Sequence, residues 1–362
     1  MKDLPQPQPG ILDIALYVSG EAGLPGHEQV LKLSANENPH GPSPKARAAF
    51  AAAAAQLHRY PATDHAALRR AIAEVHGLDP ELIICGVGSD EVLQFVAQGF
   101  AGPGDEVIVT EHGFSMYPIL ARAVGATPVT VPETARRIDV DAILAAITDR
   151  TRIVFIANPA NPTGTMLTEA ECHRLAAGLP GHVVLVHDGA YAECVPGFDG
   201  GAGLVAAFPN VVMTRTLSKI HGLGGLRVGW GHAQRPVIEV LNRLRQPFNL
   251  SEPQLAAAEA AIRDTAWRDW CTAENARLRG WMTERIRAMG LGCDESFTNF
   301  LLVRFASPDQ AGAVDAAFRA EGIILRRVSG YGLPEALRIT IGTEADCARV
   351  IDLLARFAGQ GA

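Results

Sequence analysis

No apolar run in the 362-residue chain approaches the roughly 20 residues that a membrane-spanning helix needs. Basic residues are not in excess. The 32 Lys and Arg against 39 Asp and Glu leave a formal charge of −7. That balance argues against nucleic acid or an anionic membrane as the main partner, while leaving room for local cationic sites that take small anions. Cysteine is sparse: six residues are scattered between Cys85 and Cys347, with no C-x-x-C pair. A zinc or redox motif is therefore not expected, and free thiols in a reducing, cytoplasmic setting are. The start of the chain, Met1 to Gly10, lacks the basic and apolar blocks of a signal peptide. No histidine has metal-ligand spacing, so no metal is expected. Internal repeats are also lacking. What is present is 48% apolar residue, enough for a sizeable core, over a length that suits two domains.

Short β-branched runs alternate with helical patterns through the middle of the chain. Strands are expected at Leu82–Ile84, Val107–Val109, Pro128–Val131, Ile153–Ile156, Val183–Val186, Val211–Met213 and Arg227–Trp230. Between several of them apolar residues recur at spacings of three and four, as in Leu68, Ile72 and Val75. Asp141 and Thr168 are expected N-caps. The pattern predicts an α/β fold whose largely parallel sheet is covered on both faces. Near Gln246 to Gln254 the composition shifts. Beyond it the sequence reads as a long helical region, Leu255 to Met289, then strands at Phe300–Phe305, Gly322–Leu325 and Leu337–Ile341 with helices between and after, a smaller α+β unit.

The conspicuous polar residues follow strands directly. Gly86 to Glu91, Asn158 to Gly164, Asp188 to Tyr191 and Arg215 to Lys219 all lie where open α/β sheets bind ligands. Lys219 is flanked by Leu217 and Ile220, and Gly222 to Gly225 lead on to Arg227. A partly desolvated lysine beside cationic groups has a lowered pKa and can form a Schiff base. Asp188 ends an apolar strand, where an ionised carboxylate needs a cation. A protonated pyridine nitrogen serves, and becomes an electron sink; a turn or helix cap is the plainer role. Tyr191 and the Asn161 amide can donate to a ring oxygen, although Asn-Pro-Thr-Gly alone is an ordinary turn sequence.

The glycines of Gly86 to Glu91 let backbone N–H groups and a helix N-terminus approach an anion. Ser89, Asp90 and Glu91 are candidate ligands there, with Ser89 and Asp90 equally suited to capping. No third glycine follows near Phe95, which counts against a dinucleotide. Thr216, Ser218 and Arg227 complete a phosphate cup. Phe114 is either a stacking face or a core residue. Arg326, Arg327 and Arg338 have the bidentate fork that carboxylates and phosphates accept. Together these segments suit an aldehyde cofactor that carries a phosphate and a pyridine nitrogen.

The chain resembles the fold-type I pyridoxal-phosphate aminotransferases, and within them the histidinol-phosphate aminotransferases. The likeness spans nearly its whole length. It is carried by Leu33 to Pro39 with Gly41 to Pro44, Arg59-Tyr60-Pro61, Gly86 to Glu91, Ser115-Met116-Tyr117, Asn158 to Gly164, Thr214 to Gly229, Asn299 to Phe305, Gly322 to Arg326 and Leu337 to Thr343. The resemblance implies a large domain with a mostly parallel seven-stranded sheet between helices, over 36–250, and a smaller C-terminal domain over 251–362. An N-terminal arm, 1–35, would join the small domain or a dimer contact.

It also implies pyridoxal 5'-phosphate as cofactor and transamination of histidinol phosphate with 2-oxoglutarate in histidine biosynthesis. Lys219 would form the Schiff base and shuttle the proton. Asp188 would pair with the pyridine nitrogen, Asn161 and Tyr191 would touch the ring hydroxyl, and Phe114 would stack on the ring. Ser89, Asp90, Thr216, Ser218 and Arg227 would hold the phosphate, with Glu91 counted among the cofactor-binding set. Tyr60 would reach the partner's phosphate site, making a cytoplasmic homodimer with shared sites. Arg338 would bind the substrate α-carboxylate, Arg326 the phosphate or distal carboxylate, and Tyr17 and Asn36 would also contact substrate. Two positions depart from the family pattern: Gly189 stands where a glutamate is usual, and Phe114 where tyrosine is common. An aromatic amino acid aminotransferase, a threonine-phosphate decarboxylase, a non-catalytic cofactor-binding module and a nucleotide-dependent dehydrogenase are the alternatives.

Overall fold

The computed structural model describes residues 7–8, 10–14, 21 and 23–357. Seven strands, β1 (Ile83–Gly86), β2 (Glu106–Thr110), β3 (Thr127–Val131), β4 (Thr151–Ala157), β5 (Val184–Asp188), β6 (Val211–Thr216) and β7 (Gly229–Ala233), form one sheet in the order β1-β7-β6-β5-β4-β2-β3. Neighbours from β3 through to β6 run parallel. Only β7 is antiparallel, to both β6 and β1.

Both faces are covered, so the strands read as continuous apolar runs. Period-two alternation sends Ile108, Ile156, Leu185 and Met213 into one core. It sends Val107, Phe155, Val184, Val186 and Val212 into the other. Burying one such side chain contributes about 1.5–3 kcal/mol. The same alternation sets Asp188 on the face of Val184 and Val186, where Tyr117 and Phe155 pack.

A four-stranded antiparallel sheet, ordered Gly292–Cys293, Phe300–Arg304, Ala336–Thr340, Arg326–Arg327, lies beyond the long helices. Leu278, Met282, Val314, Phe318 and Val350 build its core. Leu31–Lys32 pairs in parallel with Ile323–Ile324, and Leu33 enters the same core.

Three local expectations are corrected. The helix Val140–Ala145 is capped by Asp139, whose side chain accepts from Asp141 N and Ala142 N, so Asp141 is not the cap. The helical region from Leu255 is two helices, Glu252–Arg263 and Thr265–Ala288, parted at Asp264, whose ψ is 62°. Asp264 meets Lys45 Nζ at 2.9 Å there, a distant partner that no local pattern announces. The strand expected from Arg227 starts at Gly229, because Arg227 is left-handed at φ 56°.

Candidate active site

At the carboxyl end of β1 the chain turns through Gly88 into the helix Gly88–Phe100. Gly88 has φ +73°, and a Cβ built on it would lie 2.4 Å from Arg227 Nη2. A Cβ on Gly229 would lie 2.2 Å from Ser89 N. Both glycines therefore let Arg227 and β7 close onto the helix N-terminus, whose first-turn N–H groups have no partner within the helix. Ser218 Oγ accepts from Arg227 Nη1 at 3.0 Å and from Thr216 Oγ1 at 2.9 Å. Asp90 Oδ2 pairs with Arg227 Nη2 at 3.0 Å and aims the guanidinium. The result is a cup of N–H, hydroxyl and guanidinium donors suited to a phosphate. Glu91 is not part of it. Its Oε2 accepts from Val87 N at 2.8 Å and Asn249 Nδ2 at 2.6 Å, so it braces the turn from behind rather than facing a ligand.

Lys219 follows β6. Gly222, at φ +70°, lets the loop press on the backbone of Gly41, 2.3 Å from where a Cβ would stand. The Lys219 amine is pushed down to about 8, by burial first and then by the charge of Arg338, with Arg227 adding and Asp90 opposing. Its Nζ lies 5.5 Å from the centre of the Tyr191 ring.

Asp188 is buried at the end of β5. Oδ2 accepts from Tyr117 Oη at 2.9 Å. Oδ1 accepts from Thr214 Oγ1 at 3.0 Å and from Ala190 N at 3.1 Å. Burial raises the carboxyl to about 6, against the pull of the Tyr117 and Thr214 hydrogen bonds. No cation among the described residues forms an ion pair with it. Tyr191 Oη accepts from Asn36 Nδ2 at 2.7 Å, and the ring meets Phe300 edge-on at 5.3 Å. Asn161 Oδ1 accepts from Arg338 Nη1.

Arg338 and Arg326 are cross-strand partners in the small sheet. Arg338 also donates to Ser34 O at 2.7 Å and lies over the Phe300 ring. Strand alternation parts the arginine doublet: Arg326 lines the cavity and Arg327 is exposed.

One cavity of about 240 Å³ takes in Lys219, Asp188, Tyr191, Asn161, Asn36, Phe114, Arg326 and Arg338, together with Ser89, Asp90, Thr216, Ser218 and Arg227. Tyr60 is not among them. It is 81% exposed and stacks on Phe248 at 4.5 Å. Tyr17 lies outside the described residues. Three contributors carry no role in the sequence reading. Tyr117 stands three residues after Phe114, but its approach to Asp188 spans 71 residues, and Thr214 meets Asp188 only through the register of two neighbouring strands, so neither role is announced locally. Tyr331 lines the cavity, places its hydroxyl 3.3 Å from Ser115 Oγ, and receives His112 Nδ1 on its carbonyl at 2.7 Å. Its partners lie more than 200 residues away, and no short-range pattern marks it.

The arrangement can take a ligand with an anionic group in the cup, a cationic heteroatom at Asp188 and an electrophilic carbon near Lys219. A family model described as aminotransferase class I and II matches residues 28–354. The chain is 65% identical over 351 residues to the histidinol-phosphate aminotransferase of Ruegeria pomeroyi, covering 97% of both. It is 61% identical over 356 residues to that of Dinoroseobacter shibae, covering 98% of this chain and 99% of the relative. Among solved structures, histidinol-phosphate aminotransferase from Sinorhizobium meliloti in complex with pyridoxal-5'-phosphate matches with a TM-score of 0.89 and 27% identity, over 99% of this chain and 98% of that one. An aspartate aminotransferase from Thermus thermophilus shares the fold, with a TM-score of 0.79 and 22% identity over 90% of this chain and 91% of that one.

Proposed function

The chain belongs to the class I and II aminotransferases, and on that premise we propose that it is the pyridoxal-phosphate-dependent transaminase of histidinol phosphate. With 2-oxoglutarate the reaction gives imidazole acetol phosphate and glutamate, reversibly, in histidine biosynthesis. One observation carries the reading: the Lys219 amine and the buried Asp188 carboxylate, which forms no ion pair among the described residues, face a single cavity beside the Arg227 cup.

These residues fit the cofactor. The cup around Ser89, Thr216, Ser218 and Arg227 suits its phosphate, and Asp188 suits a protonated ring nitrogen. Tyr191 and Asn161 suit the ring hydroxyl, and Phe114 offers a ring face. Bound there, pyridoxal phosphate supplies a carbonyl carbon that amines condense with and a cationic ring that draws electrons from the substrate's α-carbon.

The chain's own groups do the rest. Lys219, about half neutral near pH 8, serves as nucleophile and then as the base that holds the α-proton on Nζ and returns it. Asp188 keeps its charge opposite the ring nitrogen. Asn36 orients Tyr191 through a 2.7 Å hydrogen bond. Arg338 takes the α-carboxylate of glutamate. Arg326 takes the phosphate of histidinol phosphate or the distal carboxylate of glutamate. Like charges directly opposite across two strands disfavour each other, and an anionic substrate between them suits both.

Further parts belong to the same proposal. Tyr60, exposed in its own chain, reaches the partner's phosphate cup in a cytoplasmic homodimer, and Tyr17 closes over the substrate. The chain divides at about residues 35 and 250 into arm, large and small domains; the separate core around the small sheet supports this.

Lys219→Ala should abolish both the visible absorbance of the bound cofactor and turnover. A coloured, active variant would refute the reading. The kcat/KM for histidinol phosphate should exceed that for phenylalanine by at least about tenfold, consistent with a charge-assisted contact to Arg326. The reverse order would make the protein an aromatic amino acid aminotransferase.

A further inference from the structure

We propose that Tyr117 is a positioning residue of the reaction: its hydroxyl holds Oδ2 of Asp188 and keeps that carboxylate ionised toward the ring nitrogen. The inference rests on the functional reading above.

The two oxygens of Asp188 are unequally supported. Oδ1 has two donors, Thr214 Oγ1 and Ala190 N. Oδ2 has one among the described protein groups, Tyr117 Oη at 2.9 Å. Removing that donor leaves Oδ2 as the place where a proton settles. A buried carboxylate without its hydrogen bond favours the neutral form, and neutral Asp188 no longer favours a cationic ring.

Other groups around Asp188 do not substitute for Tyr117. Asp90, from the helix Gly88–Phe100, disfavours its charge. Tyr191 donates no hydrogen bond to it, and Lys219 and Arg227, from beyond β6, form no ion pair with it. His187, the preceding residue on the strand, faces the opposite core and bonds with Asn158. The margin is narrow, since burial already lifts Asp188 to about 6.

Tyr117 is built to donate and to stay. It is 1% exposed. Its ring stacks on Phe155 at 4.9 Å with an interplanar angle of 7°, and meets Phe114 edge-on at 5.6 Å. Burial and the Asp188 charge hold its phenol well above the ordinary range, so it remains protonated wherever the enzyme works. Phenylalanine would keep both ring contacts and delete only the hydroxyl.

The test measures pyridoxal phosphate uptake by cofactor-stripped protein from pH 5 to 9, alongside the pH profile of kcat/KM. In Tyr117→Phe the acidic midpoint of both should rise by about one pH unit or more, as loss of a hydrogen bond to a charged group implies. Affinity should fall about tenfold near pH 6 and stay within a few-fold of the parent at pH 9. An equal loss at every pH, or an unmoved midpoint, would mean that Tyr117 only packs. Should Tyr117→Phe not fold, 3-fluorotyrosine at position 117 is the second probe. As a stronger donor it should move the midpoint down, and an unmoved midpoint overturns the proposal. Parent protein that takes up no pyridoxal phosphate would instead overturn the functional reading itself.

Discussion

Lys219 is an amine held short of its proton. Its pKa falls from 10.5 to about 8 because burial and the Arg338 charge penalise the ammonium form. The sign of the stability effect follows. The unfolded chain binds this proton more tightly than the folded one, so folding loses stability as pH drops from 10.5 to 8. Below that window the penalty stays in full. Lys219→Met removes the charge while filling similar space. The cofactor-free variant should be more stable than the parent by roughly 1–3 kcal/mol at pH 7, with the gap shrinking toward pH 10. Urea denaturation at the two pH values checks this; a variant that is less stable at pH 7 would contradict it.

At the scale of the element, the site depends on β7 lying against the start of the helix Gly88–Phe100. Gly229 permits it, since a Cβ there would meet Ser89 N at 2.2 Å and Arg215 O at 2.9 Å. Both neighbours are backbone and cannot swing aside. Gly229→Ala should cost roughly 1–3 kcal/mol of stability or more through overpacking and spread the donor cup. Gly225, with nothing within 4 Å of its would-be Cβ, is the control. Its alanine variant should stay within about 0.5 kcal/mol of the parent, as for other unobstructed surface changes. Equal denaturation midpoints for the two variants would dismiss the clash. Beneath β6, Arg215 donates to buried Glu193 at 3.0 Å, and Glu193 O accepts from Thr272 at 2.7 Å. The strand that delivers Lys219 is thus tied to the helix Thr265–Ala288.

At the scale of the whole molecule, the proposed dimer makes a quantitative prediction. Tyr60 and Leu57 are 81% and 70% exposed, an apolar face that a second copy can cover. If Tyr60 completes the partner's cup, Lys219→Ala and Tyr60→Ala chains complement each other. Half of the randomly mixed dimers are hybrids, and each hybrid holds one intact site. Refolding the two together should recover about a quarter of parental activity. Recovery no greater than the residual activity of the Tyr60→Ala protein alone would place Tyr60 outside the neighbouring site.

The positions of the strands along the chain, and the core of the site, were legible in consecutive residues. Lys219, Asp188, Asn161 and Ser89 each follow an apolar strand, and a mostly parallel sheet gathers such ends at one edge. Periodicity and turn chemistry act over a few residues, so a chain displays them directly. Packing alone decided the rest. It set β7 antiparallel, turned Glu91 away from the cup, and set against the cavity the face of the small sheet that carries Arg326. It also brought Tyr117 to Asp188 across 71 residues and Arg338 to Ser34 across 304. Whether a buried carboxylate keeps its charge depends on donors arriving from such distances, and only the folded chain sets them in place.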